Sequence, residues 1–261
     1  MDLNLHGKRA VVCGSTRGIG KAIAIELALL GASVTLVARN QSALDATLKE
    51  LASSEGQRHE YLVADFNFPD QLQSAIQDYV AKFDAQILVN NTGGPPGGQA
   101  IEARLQEFVN AFSAHLLCNQ IMTQAVVPGM KRAGFGRVIN IISTSVKIPI
   151  PGLGVSNTIR GAVANWSKTL SLELAPFGIT VNNVLPGATL TDRLISLNRI
   201  KAEKTGKPFE LVTKEMENEI PAGRFASAHE VAAAAVFLAT PAAGYINGIN
   251  IPVDGGRTGS L

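Results

Sequence analysis

The chain of 261 residues has only two cysteines, Cys13 and Cys118, in different apolar contexts and with neither CxxC nor Cys/His spacing. That pattern argues against a disulfide framework and against a structural zinc site, so no metal is expected and both read as packing residues. Long hydrophobic runs are missing too: no stretch approaches the roughly 18 uninterrupted apolar residues of a membrane helix. The opening Met1-Asp2-Leu3-Asn4 lacks the charged-then-apolar pattern of an export signal. A cytoplasmic protein without a membrane partner is expected. Charge of one sign is scarce. The net charge is +2 with no basic run, which removes the phosphate attraction that nucleic-acid binders depend on, so no nucleic-acid partner is expected. What is present is 46% apolar and 17% charged side chains over a length at the upper end for one domain. One α/β domain spanning residues 1–261 is the expectation.

From Lys8 onward, apolar runs of strand length alternate with stretches of helical period, without repeat, low-complexity tract or linker. Strands are expected at Ala10–Cys13, Ser33–Val37, Tyr61–Val63, Ile87–Val89, Val138–Ile142, Thr180–Val184 and Ile249–Val253. Helices are expected near 19–30, 41–54, 69–82, 101–132, 154–175 and 228–239. With right-handed crossovers, this alternation gives a doubly wound, seven-stranded parallel sheet of the Rossmann kind, covered on both faces. Residues 191–222 depart from the rhythm, because Leu194, Leu197, Ile200, Phe209, Leu211 and Val212 are interleaved with lysines and glutamates. They read as two amphipathic helices around Gly206-Lys207-Pro208, either a lid over an apolar ligand or a fixed surface pair.

The first strand is followed by Gly14-Ser15-Thr16-Arg17-Gly18-Ile19-Gly20, with a helix starting at the last glycine. Glycines there permit positive φ and close backbone approach, so a diphosphate can rest on the free N–H groups and positive dipole end of the helix. The GxxxGxG spacing of Gly14, Gly18 and Gly20 resembles the short-chain dehydrogenase/reductase family. Further stretches are similar to it: Asp65 at the place of the adenine-contacting aspartate, Asn90-Asn91-Thr92-Gly93 for NNAG, and Pro186-Gly187 followed by Thr191 for the PG…T motif lining nicotinamide and diphosphate. The closing pattern Gly223-Arg224-Phe225, His229-Glu230-Val231 and Val253-Asp254-Gly255-Gly256 extends the resemblance across residues 5 to 257. It implies a dinucleotide cofactor. Members that use NAD carry an acid after the second strand, whose carboxylate accepts from the ribose 2′-OH and repels a 2′-phosphate. This chain has Ala38-Arg39-Asn40 there, and Arg17 in the glycine turn. Two guanidinium groups and no acid favour NADP(H) over NAD(H).

Family members that transfer hydride use a tyrosine as acid/base, a lysine four residues later, a serine on the substrate oxygen and an asparagine in the preceding long helix. Ser143 stands at the serine position. Aligned on Ser167-Lys168-Thr169-Leu170 and on Val127-Pro128-Gly129-Met130, the tyrosine, lysine and asparagine positions hold Ser156, Arg160 and His115. The only tyrosines are Tyr61, Tyr79 and Tyr245, so no small offset restores one. A serine hydroxyl lies far above the phenol pKa of about 10, and a guanidinium with pKa above about 12 supplies no proton at neutral pH. Ser143 and Ser156 remain as hydrogen-bond donors, Arg160 as a fixed positive charge, and His115, with an ordinary pKa of about 6.5, as the acid/base candidate, unless it serves only to bind backbone within its helix. A subgroup related to 3-oxoacyl-acyl-carrier-protein reductases is similar in its NNTGG loop, its Ser…SN…R stretch and its lack of the tyrosine.

The resemblance implies an NADP(H)-dependent oxidoreductase, 3-oxoacyl reductase-like, acting on a small carbonyl or acyl compound. A non-redox lyase or isomerase on the same fold, and an inactive NADP(H)-binding protein, stay open beside it. The family's habit of pairing through its long helices implies a homotetramer or homodimer. Those helices hold Ala111, Phe112, Leu116, Leu117, Met122, Trp166, Leu170 and Leu174, more apolar residues than one core-facing stripe needs.

Overall fold

The apolar run Arg9–Cys13 forms the first strand, β1, of a computed structural model that describes residues 1–260. Strands β2 (Ser33–Ala38), β3 (Glu60–Val63), β4 (Ile87–Asn90), β5 (Gly136–Ile141), β6 (Ile179–Pro186) and β7 (Asn250–Val253) complete one sheet in the order β3-β2-β1-β4-β5-β6-β7. Every pairing is parallel. Successive side chains of β1 serve opposite faces: Ala10 and Val12 join one apolar cluster, Val11 and Cys13 the other. On the first face lie α1 (Gly18–Leu29) and α9 (Ala228–Ala239); on the second lie α3 (Pro69–Val80) and α5 (Cys118–Ala133). Both cysteines are buried in the second cluster, and burial pushes the Cys118 thiol up to about 12 and that of Cys13 further. They are packing residues with inert thiols.

Strand order reverses between β1 and β4, and a doubly wound sheet opens its crevice there, beyond the carboxyl ends of the strands. Two elements differ from the sequence expectation. The helix after Asn40, α2, ends at Leu48 rather than near 54, because Ser53-Ser54-Glu55-Gly56 favours turns and Gly56 takes a positive φ of 81°. The expected helix 101–132 is three pieces: α4 (Leu105–Phe112), a π-helical segment Ser113–Leu117, and α5. A π segment keeps the apolar spacing nearly continuous, so periodicity alone does not reveal it.

After β5 come α6 (Gly154–Leu174) and, beyond β6, α7 (Asp192–Thr205) and α8 (Phe209–Asn218). The last two are the amphipathic pair expected at 191–222. Gly206 closes α7 with φ +67°, Thr191 caps it by accepting from the Leu194 N–H at 3.4 Å, and Asn198 Nδ2 donates to Thr213 Oγ1 at 3.4 Å across the pair. No described helix is long and apolar enough to cross a membrane.

Candidate active site

Three chain segments meet where the glycine turn leaves β1. Gly14 (φ +59°) donates its N–H to Val37 O at 2.8 Å, and Asn91 Nδ2 donates to Cys13 O at 3.2 Å and Gly14 O at 3.3 Å. A Cβ on Gly20 would stand 2.3 Å from Gly14 O and 2.5 Å from Asn91 Nδ2, so only glycine allows α1 to begin this close to the turn. Ser15 is buried beneath the turn, Thr16 and Ile19 are half-buried, and Thr191 lies over Gly18, with its Cγ2 3.3 Å from where a Cβ would be. At the end of β6, Pro186 leads into Gly187, where a Cβ would meet Asp254 Cβ at 2.6 Å. Gly93 has no neighbour within 4 Å of a Cβ and lines open space.

The α1 N-terminus has no side-chain cap and no acid in its first turn; Arg17, extended at φ −161°, precedes it. Its first N–H groups are unspent donors with a positive dipole behind them. Arg17 and Arg39 are exposed, and neither pairs with a carboxylate among the described residues. Past β2, Asn40 is used as the α2 cap, accepting from the Ala43 N–H at 3.0 Å. Asp65, half-buried after β3, accepts from the Asn67 N–H at 3.0 Å through Oδ1.

The other four candidates lie just past β5, on the first turns of α6 and in the π segment. Ser143, half-buried just past β5, accepts from the Ser145 N–H at 3.1 Å and keeps its own O–H to donate. Ser156 is buried on the first turns of α6, and its hydroxyl has no hydrogen-bond partner among the described residues. Arg160, one helical turn later and 7% exposed, donates from Nη1 to Ile141 O at 3.2 Å. Burial, with Arg193 adding to it, lowers its pKa to about 10, so it stays charged at neutral pH. His115 lies in the π segment, 2% exposed, with Nδ1 2.5 Å from Thr92 Oγ1.

One expectation is corrected here. His115 does not keep its ordinary pKa near 6.5: burial and then the Arg160 charge press it down to about 3, so the imidazole is neutral at pH 7. Two participants were not foreseen. Thr92 was visible within the Asn-Asn-Thr-Gly run, but its bond to His115 was not. Arg193, on α7, donates from Nη2 to Pro95 O at 2.8 Å. The tyrosines all lie elsewhere: Tyr61 accepts from Gln41 at 3.1 Å, Tyr79 is buried against Thr35, and Tyr245 is fully exposed.

A family profile described as Enoyl-(Acyl carrier protein) reductase matches residues 14–258. The chain belongs to the short-chain dehydrogenase/reductase family. It is 32% identical over 257 residues to the 3-oxoacyl-[acyl-carrier-protein] reductase FabG of Haemophilus influenzae, covering 97% of this chain and 98% of that one. L-Sorbose reductase from Gluconobacter frateurii, crystallised with NADPH and L-sorbose, superposes with a TM-score of 0.92 at 31% identity over the whole of both chains. YwfH, an NADPH-dependent reductase involved in bacilysin biosynthesis, gives 0.91 at 28% identity over 97% of this chain and 99% of the other. As a member, the protein is an NAD(P)-dependent reductase related to the 3-oxoacyl reductases.

Proposed function

We propose that the protein is an NADP(H)-dependent reductase of a small carbonyl compound, working with a catalytic set that departs from the family's: Ser143, Ser156, Arg160 and His115 in place of serine, tyrosine, lysine and asparagine. The observation that carries this is the adjacency of a glycine cradle to an unspent pair of hydroxyls and a buried guanidinium. The cradle fits a dinucleotide, because the space a Cβ would take at Gly14 and Gly20 is already filled by the packed turn, leaving backbone N–H groups as its floor. Gly14, Ser15, Thr16, Gly18, Ile19, Gly20, Asn91, Gly93, Pro186, Gly187 and Thr191 would hold the diphosphate and nicotinamide ends, and Asp65 the adenine. Arg17 and Arg39, unpaired and unopposed by an acid, supply forked donors for a 2′-phosphate, which is why NADP(H) is preferred to NAD(H). L-Sorbose reductase from Gluconobacter frateurii is crystallised with NADPH and YwfH is NADPH-dependent, in line with this choice.

When bound, NADPH supplies a hydride to the carbonyl carbon. The chain's own residues manage the oxygen. Ser143 and Ser156 donate hydrogen bonds to it, and Arg160, fixed by Ile141 O, stabilises the negative charge that develops there. A neutral His115 holds no stored proton at pH 7. It would act as a relay: the N–H proton passes towards the oxygen left negative by hydride transfer, while Nδ1 takes the Thr92 hydroxyl proton and solvent water reprotonates Thr92. Segment 191–222 serves as the lid: α7 and α8 each bury a single residue, Asn198 and Val212, and leave Ile200 and Leu211 exposed. Leu105, Val109, Phe112 and Leu117, exposed along α4 and the π segment, suit pairing with further copies of this chain as a homodimer or homotetramer.

The test is a single-turnover measurement of the nicotinamide absorbance band with a panel of carbonyl compounds. Loss of the reduced-nicotinamide signal coupled to alcohol formation is expected. Product formed with no nicotinamide change would replace this reading by a non-redox one.

A further inference from the structure

The buried guanidinium of Arg160 has no counter-ion. Among the described residues no carboxylate lies within 4.0 Å of it, and a single carbonyl, Ile141 O, is its hydrogen-bond partner. A buried charge left in that condition is costly, and a second positive charge beside it makes it more so. Yet Arg193 is brought there: its Nη2 is held by Pro95 O, and a Cβ placed on Gly94 would stand 3.8 Å from that nitrogen and 4.0 Å from Arg160 Nη2. Apart from Gly94 and its chain neighbours, nothing else among the described residues lies within 4 Å of the same point. Two guanidinium groups from different elements, α6 and α7, thus border one open space above a residue without a side chain.

Mutual repulsion between two cations is relieved by an anion between them, and forked N–H donors match the oxygens of a carboxylate or phosphate. The main floor for the dinucleotide diphosphate is the turn Gly14–Gly20 and the start of α1, while the arginine pair borders Gly94, beyond Gly93 and Thr191, the last residues assigned to the nucleotide on those two segments. Arg160 stands instead one helical turn from Ser156 and bonds the strand carbonyl two residues before Ser143. We propose that Arg160 and Arg193 form an oxyanion-group seat for the substrate, so that the substrate is a short ketone bearing a carboxylate or phosphate only a few bonds from its carbonyl. This rests on the reductase reading for the carbonyl, and on Arg160 and Arg193 alone for the anion. A neighbouring cavity of about 190 Å³ is lined by Pro95, Gly98, Glu102, Glu107 and Val155, and its two carboxylates would repel such a group, leaving the arginine pair as its place. Because Arg193 is in the first turn of α7, occupation of the seat would also tie segment 191–222 to α6.

The experiment is calorimetric titration of the full protein, saturated with NADP+, with acetoacetate, 2-oxobutyrate, dihydroxyacetone phosphate and the uncharged ethyl acetoacetate and butanone. At least one charged ketone should bind about tenfold or more tightly than its uncharged counterpart. Acetoacetate or 2-oxobutyrate ahead of the phosphate ester would identify a carboxylate substrate, and the reverse order a phosphorylated one. Arg193 is exposed, so Arg193→Met should fold normally; it should lose that preference while Arg193→Lys restores part of it, and NADP(H) affinity should match wild type in both. Equal binding of charged and uncharged ketones, or no binding by any charged one, overturns the proposal, as does a parallel loss of NADP(H) affinity in Arg193→Met, which would assign the pair to the nucleotide. Charged ketones that bind here yet give no nicotinamide change when mixed with the NADPH-loaded protein would leave the seat standing and remove the reductase reading; indiscriminate reduction of uncharged ketones by the NADPH-loaded protein would do the opposite.

Discussion

Thr92 Oγ1 and His115 Nδ1 lie 2.5 Å apart, joining the loop after β4 to the π segment between α4 and α5. The π geometry places the imidazole inward, 2% exposed, within the electrostatic reach of Arg160. The contact therefore couples the loop after β4, a neutral imidazole and a buried cation in one local network. A histidine in that setting moves protons only by exchange, which distinguishes it from the phenol that family members place nearby.

On the proposed reading, the nucleotide preference follows from Arg17 and Arg39. Replacing Arg39 by Asp sets a carboxylate against the 2′-phosphate and offers an acceptor to a 2′-OH. NADP(H) affinity should fall by on the order of tenfold or more and NAD(H) affinity should rise, as read by titrating both nucleotides into both proteins. Equal affinities in the wild type would remove the NADP(H) assignment.

The glycine cradle makes a sterically exact demand at Gly20, whose Cβ would meet Gly14 O at 2.3 Å and Asn91 Nδ2 at 2.5 Å. Backbone cannot swing aside as a flexible side chain can. Gly20→Ala should cost about 1–3 kcal/mol of stability by overpacking and displace the Asn91 bonds to Cys13 and Gly14. Thermal melts with and without NADP+ test this: a lower melting point and a smaller nucleotide-induced rise are expected, and an unchanged protein would mean that the turn relaxes freely.

Much of this was legible from residue order. The alternation of apolar runs reveals all seven strands and their parallel pairing, since β1, β4 and β5 carry apolar residues to both buried faces, and the glycine spacing marks the close turn after β1. Ser143, Ser156, Arg160 and His115 follow from counting along the chain; in the fold Arg160 bonds the carbonyl two residues before Ser143 and its charge acts on His115. The π segment was hidden because five residues of it keep helical spacing with α4 and α5. Arg193 was hidden for another reason: its partner Pro95 lies 98 residues earlier, and only the folded path of α7 joins them. The His115 pKa was likewise unreadable, because it depends on burial and on a charge from another helix.

Turnover of generic ketones should be slow in the wild type, because positioned general acid catalysis contributes roughly 10²–10⁴-fold and no tyrosine reaches the site. Ser156→Tyr with Arg160→Lys installs the family pair on the same face of α6. The double variant should exceed both single variants in reduction of simple ketones, since the ammonium acts by lowering the phenol's pKa. Ordinary rates in the wild type, or singles equal to the double, would show that Ser156 and Arg160 already fill these roles.

The pH dependence of stability reports on His115 directly. In the folded protein its pKa is about 3, against about 6.5 when unfolded, so between those values the unfolded chain binds a proton that the folded chain refuses. The stability linked to this residue is complete above pH 6.5 and is lost as pH falls from there towards 3. Carboxylates titrate in the lower part of the same window, so the informative quantity is the difference between wild type and His115→Asn, in which only the imidazole is gone. Near pH 7 the variant should be no more stable than wild type, having lost the bond to Thr92. Towards pH 4 the wild type should lose its lead and fall behind, because it alone must charge a buried ring or unfold. Melting temperatures measured across this range check the crossover, with NADP(H) titration at pH 7 as the companion readout of an intact cradle. Parallel curves for the two proteins would mean that the ring is solvated and free to protonate, and the relay role would then give way to that of an ordinary acid.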